Sequence, residues 1–167
     1  MTKIFNYLFV TFFGLGRIKF APGTLTSLVT TILIYCAFHI INLSYLLILS
    51  ILLFLFIYSF LAVAEYIKNN KDKDPKEVVI DEVIGQSIPI YFYEIAHNFS
   101  KNSKEAILFY VYIFILFRYF DITKPFPVNY FDKKFKNSFG VILDDVVAGL
   151  YVVFTLIIFM MIKSKFF

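Results

Sequence analysis

LSYLLILSILLFLFIYSFLAVA, residues 43–64, decides the fold: it runs for twenty-two residues without a charge. At about 1.5 Å of rise per residue, one helix of that length crosses the roughly 30 Å hydrocarbon core of a bilayer. Outward from it lie four further apolar runs, 25–41 on one side and 83–96, 106–120 and 146–162 on the other. These are shorter than the roughly 20 residues a span wants, so they must borrow length from their flanks, tilt, or enter partway. The weakest is 83–96, which Gly85, Pro89 and Glu94 interrupt. At the N-terminus, Lys3 and the apolar residues 4–13 are followed by Arg17 and Lys19 with no small-residue cleavage site, which reads as an interfacial helix and not as a removed signal. The expectation is an all-α, small helical membrane protein, with about five hydrophobic helices plus an N-terminal interfacial helix.

Composition agrees, since 60% of the 167 residues are hydrophobic, 17% are charged, and the mean hydropathy is +0.77. No linker, internal repeat or low-complexity tract divides the chain, so 1–167 reads as one domain. Cys36 stands alone in an apolar stretch and cannot form an intramolecular disulfide.

If all five runs cross, twelve of the sixteen Lys and Arg fall on one side: at the N-terminus, in 68–76, and in 118–136. That asymmetry makes the side cytoplasmic. The same face receives Ala21-Pro22-Gly23-Thr24, Asp81-Glu82 at the start of the third run, Asp121 at the end of the fourth, and Asp144-Asp145 at the start of the fifth. Carboxylates beside hydrocarbon are expensive unless they pair, bind a cation or face water, so their convergence points to a site.

Oxygen ligands on loops and helix ends suit Mg²⁺, which prefers a few carboxylates plus water and substrate phosphate. Thr24, Asp81 and Asp144 fall at expected helix N-termini, where exposed amides and partial positive charge favour an anion. Gly23 lets backbone approach a phosphate, and Thr24 and Ser27 add hydroxyls. Arg118, Asp121 and Lys124, three residues apart, share one helical face, which suits Asp121 for a metal and Arg118 and Lys124 for phosphate oxygens. Bland alternatives stand beside each: an ordinary Pro-Gly helix start, an ion pair at the membrane boundary, and acids complementing a helix dipole.

These residues resemble the phosphatidylglycerophosphatase A family. The matching stretches are Ala21-Pro22-Gly23-Thr24 with Ser27-Leu28, Ile80-Asp81-Glu82-Val83-Ile84-Gly85, Phe117-Arg118 through Asp121, and Lys124-Pro125-Phe126-Pro127. Phe131-Asp132, and Gly140 with Asp144-Asp145-Val146-Val147-Ala148-Gly149, complete the set. The resemblance implies a mostly helical, Mg²⁺-dependent phosphomonoesterase. It would act on a phospholipid, phosphatidylglycerophosphate, at the cytoplasmic face of a bacterial inner membrane. On that expectation Asp81, Glu82, Asp121, Asp144 and Asp145 hold one or two Mg²⁺, Lys124 and Arg118 stabilise phosphate charge, and one carboxylate serves as base or nucleophile. Phe20, and the Lys-rich loop 68–76, match no motif of the family.

Other chemistries fit poorly. His39 lies in the first run and His97 on the opposite side, Cys36 lacks a phosphate-cradling loop, and there is no Asp-x-Asp-x-Thr or P-loop. A nucleotide-dependent alcohol phosphotransferase needs four closely spaced aspartates that are absent. A small cation or proton transporter remains the competing class, with Pro89 as a helix break, although the acids cluster at one face and not at midplane. The net charge of +4 is explained by orientation and lipid, and no aromatic-and-basic pattern points to nucleic acid. Nothing in the chain points to a protein partner.

Overall fold

The computed structural model describes residues 3–68, 75–97, 103–130, 135 and 137–166. Among them there is no strand, and the all-α expectation holds. The chain forms α1 (Lys3–Val10), a 3₁₀ turn (Leu15–Arg17) and α2 (Pro22–Tyr35), which runs on through a wider π turn (Cys36–Ile40). Then follow α3 (Tyr45–Lys68), α4 (Ile80–His97), α5 (Ser103–Thr123) and α6 (Ser138–Phe166).

Four of these are long and apolar enough to cross a membrane: Pro22–Ile40, Tyr45–Lys68, Glu105–Thr123 and Ser138–Ile162. The short apolar runs do borrow length from their flanks. The largest gain is in α6, whose helix begins at Ser138, well before the run at 146. Asp144-Asp145 therefore sit nearly two turns inside the helix, and the expected placement of Asp144 at an N-terminus is corrected.

The third run behaves differently. Helix α4 packs against α2, α3, α5 and α6, most extensively against α6, and most of its residues are buried, including the polar Asp81, Gln86, Ser87 and Glu94. Side chains that face protein need not match lipid, so an inner helix tolerates a polarity that an outer span cannot. Pro89 lies within α4 without ending it. Proline has no N–H to return to the carbonyl four residues earlier, which here is Gly85. That carbonyl lies against Gly149, where a Cβ would overlap its oxygen, and a Cβ on Gly85 would stand 2.6 Å from the Asp145 carbonyl oxygen. This close crossing presses the start of α4 against the segment of α6 that carries the aspartates.

Two apolar clusters flank the crossing. Ile90, Ile113, Phe117 and Val152 join α4, α5 and α6, while Val10, Val63, Ile80, Val83 and Ile142 join α1, α3, α4 and α6. Helix α1 turns Asn6 and Val10 inward, Asn6 Nδ2 donating to the Ala62 carbonyl at 3.0 Å, and leaves Ile4 and Phe5 exposed. The Val79 amide donates to the Val10 carbonyl at 3.0 Å, which ties the chain ahead of α4 to the end of α1.

Candidate active site

The start of α2, the start of α4, the end of α5 and the early turns of α6 meet around a cavity of about 320 Å³. Its walls include Gly23, Thr24, Asp81, Glu82, Arg118, Asp121, Lys124, Asp144 and Asp145. Of the candidate catalytic, phosphate-binding and metal residues named from the sequence, all described, only Ser27 stands back from it. Ser27 is fully buried, donates to the Gly23 carbonyl at 2.9 Å, and accepts from Arg118 Nη1 at 3.4 Å.

Each wall is positioned by local chemistry. Ala21 takes a left-handed backbone (φ 44°) and Pro22 opens α2, where its missing N–H costs nothing. Gly23 then passes so close to α4 that a Cβ would collide with Glu82 Oε1. Helix α5 stops at Thr123 because Lys124 is followed by Pro125, which disfavours a helical residue before it. Lys124 turns left-handed (φ 42°), so the expectation that Arg118, Asp121 and Lys124 share a helical face is corrected: Lys124 is off the helix. Its amide still reaches the Phe120 carbonyl at 2.9 Å, and its Nζ donates to Asp144 Oδ2 at 2.7 Å. A left-handed non-glycine residue costs about 1–2 kcal/mol, and two of them line this one cavity. Backbone strain of this kind gathers at functional sites.

Charge is unevenly compensated. Arg118 Nη1 lies 2.6 Å from Asp121 Oδ2, and Lys124 holds Asp144, whose Oδ1 also accepts from the Asp145 amide at 3.0 Å. Asp81, Glu82 and Asp145 form a separate group in which one oxygen from each lies within 4.8 Å of the others. Asp81 Oδ1 and Glu82 Oε2 are buried without a hydrogen-bond partner. Burial, followed by the neighbouring charges of Glu82 and Asp145, holds the Asp81 carboxyl well above the usual carboxylate range. Burial pushes Glu82 up to about 7, with Asp121 adding to the rise and Arg118 opposing it. An all-oxygen group of crowded, under-bonded carboxylates is the donor set that a hard divalent cation such as Mg²⁺ takes.

Asp81, Glu82 and Asp145 thus gather as one candidate ligand group, whereas Asp121 and Asp144 are each engaged by a cation. Phe131-Asp132 of the sequence pattern lies outside the described residues. Pro75, Lys76 and Val78 also line the cavity; in the sequence Lys76 counts only toward the cytoplasmic charge, and Pro75 and Val78 carry no signal. Gln86, one turn beyond Glu82 on α4, is fully buried with neither amide atom bonded. Its only sequence signal is an amide inside an apolar run, four residues after an acid. The histidines stand elsewhere: His39 Nε2 lies 3.2 Å from Glu94 Oε1, and His97 Nδ1 lies 3.0 Å from the Tyr93 carbonyl, toward the other end of α4.

The profile of the family described as phosphatidylglycerophosphatase A matches residues 8–160. The chain is 36% identical to a phosphatidylglycerophosphatase A of Haemophilus influenzae over 147 residues, which cover 88% of this chain and 83% of that protein. It is 32% identical to a putative phosphatidylinositol-3-phosphatase of Bacteroides thetaiotaomicron over 142 residues, 84% of each chain. A phosphatidylglycerophosphatase A of Escherichia coli shares 42% identity over 36 residues, 22% of this chain and 21% of that protein. No solved structure matches the chain.

Proposed function

The chain belongs to the phosphatidylglycerophosphatase A family, and from that premise we propose that it is a Mg²⁺-dependent lipid phosphatase. It releases inorganic phosphate from phosphatidylglycerophosphate and leaves phosphatidylglycerol, at the cytoplasmic face of a bacterial inner membrane. The observation that supports this reading is the group Asp81, Glu82 and Asp145: three crowded carboxylates with no salt bridge among the described residues, in a cavity that Arg118 and Lys124 also line.

Asp81, Glu82 and Asp145 would hold the ion. Bound there, Mg²⁺ supplies charge neutralisation and polarisation of the phosphate oxygens. Arg118 and Lys124 are kept in place by Asp121 and Asp144, ready to shift onto phosphate oxygens when the headgroup arrives. The first-turn amides of α2, at Gly23 and Thr24, have no partner within their own helix, and both residues line the cavity. A water attacks phosphorus as the bond to the glycerol oxygen breaks. A carboxylate takes the water's proton, and the glycerol oxygen ends protonated as the alcohol. The basic residues gathered on this side support the cytoplasmic assignment.

The name of the Bacteroides relative favours a second substrate, a phosphatidylinositol carrying a 3-phosphate. Both lipids present a phosphomonoester on a polyol headgroup, and the same residues would serve either.

The test is phosphate release by detergent-purified protein from each lipid, with Mg²⁺ and then with chelator, alongside Asp144→Asn. Release from phosphatidylglycerophosphate that requires both the ion and Asp144 is expected. Release that is indifferent to chelator, or a fully active Asp81→Asn/Asp144→Asn double variant, overturns the proposal.

A further inference from the structure

In a helical membrane protein the most exposed large apolar side chains belong on the outer faces of the spans, where lipid covers them. Among the described residues the three most exposed are Phe20, Phe13 and Phe126, at 83%, 81% and 79%, and none lies on a span. Phe20 precedes Ala21 and Phe126 follows Lys124 by two residues, and both Ala21 and Lys124 line the carboxylate cavity. Phe13 belongs to the same 11–21 segment as Phe20, and that segment is fastened to the approach of α4, because Gly16 lies hard against the Glu77 backbone. Exposed Arg17 and Lys19 stand between the two phenylalanines. Phe13 and Phe20 lie outside the stretches that carry the family resemblance, and the chemistry of the cavity uses neither.

The order apolar, basic, basic, apolar suits one partner: a lipid surface with anionic headgroups. Aromatic rings settle at the boundary between headgroups and acyl chains, and Lys and Arg gain from the negative surface just above it. Segments 11–21 and 124–127 flank the span starting at Pro22 and the span ending at Thr123, at the end of each that borders the cavity. We propose that Phe13, Phe20 and Phe126 form an apolar rim that sinks into the acyl boundary around the cavity mouth. Arg17 and Lys19 collect anionic lipid there, so that the phosphate slides into the site while the acyl chains stay in the bilayer. The rim deepens the lipid-phosphatase reading, and its kinetic consequences rest on that reading, whereas its location does not.

The chain has no tryptophan, so Phe20→Trp and Phe126→Trp each create a single fluorescent reporter. In vesicles of anionic phospholipid, both are expected to emit at short wavelength and to be quenched by lipids brominated on the upper acyl chain. Long-wavelength emission quenched by aqueous iodide overturns the rim. In a second arm, Phe20→Ser and Phe126→Ser are each expected to raise KM for vesicle-embedded phosphatidylglycerophosphate by about tenfold, the order that loss of one buried aromatic gives. Their turnover of a water-soluble, short-chain phosphomonoester should stay at the parent level. Equal losses on both substrates contradict the rim. A parent protein inactive on either substrate contradicts the proposed function instead, and the fluorescence arm then decides the rim alone.

Discussion

Helix α4 carries buried acids at both ends, and the two ends treat them differently. At its start, Asp81 and Glu82 join Asp145 from α6 in a group with no cation of its own, while Arg118 and Lys124 are engaged by Asp121 and Asp144. Thirteen residues further on, about 20 Å along the helix, Glu94 is equally buried and meets His39 Nε2 at 3.2 Å. Around that pair, Tyr35 stacks on the His39 ring at 4.7 Å and Tyr110 meets it edge-on. Both ends bury carboxylate, but only the first buries more of it than the protein can bond. Buried carboxyls without partners hold their protons, and they ionise in place only when a cation takes those protons' position. The first end therefore reads as a ligand site and the second as structure.

The largest expected effect is on activity at the first end. Asp145→Asn should lower kcat by about 10³-fold, the scale of losing one electrostatic contact to a reacting group, with the helical circular dichroism signal retained. Gly23→Ala comes next. Its Cβ collides with Glu82 Oε1, so the carboxylate must move, and a misplacement of that size costs about 10²-fold in kcat/KM.

pH sharpens the contrast further. Without a divalent ion Glu82 titrates near 7, above its ordinary 4.5, so the folded state holds a proton that the unfolded chain has released. That contribution to stability is complete below about 4.5 and is lost as pH rises through 7. A cation must displace the same proton, and the one that Asp81 holds, so Mg²⁺ affinity should fall at least about tenfold per pH unit below 7, read by calorimetric titration. The smallest effect belongs to the second end. Glu94→Gln should cost about 1–3 kcal/mol of stability, the usual penalty for disturbing a buried polar pair, seen as a lower midpoint of thermal unfolding with kcat unchanged.

The outer helices were readable because apolar runs report lipid-facing surface directly. Helix α4 gives the weakest apolar run because Gln86, Ser87 and Glu94 face protein, and hydropathy counts such residues against a span without seeing what surrounds them. The acidic motifs were legible as sharing one face because each lies near a break in an apolar run. The start of α6 is hidden because the aspartate pair interrupts the apolar run, although Val141, Ile142 and Leu143 continue the helix ahead of it. The three-residue spacing puts Lys124 on the helix, whereas Pro125 beside it signals the helix end, and the proline prevails. Which carboxylates pair with cations and which remain crowded depends on contacts across tens of residues, such as Lys124 with Asp144 and His39 with Glu94, and no spacing encodes them.

The central claim is that the uncompensated end of α4 binds a divalent cation and the compensated end does not. Thermal unfolding of the purified protein across a Mg²⁺ titration tests it most directly, with Asp81→Asn and Glu94→Gln in parallel. The midpoint should rise with Mg²⁺ in the parent protein and in Glu94→Gln, and stay level in Asp81→Asn. A parent protein indifferent to Mg²⁺, or an Asp81→Asn variant stabilised as much as the parent, would contradict the account.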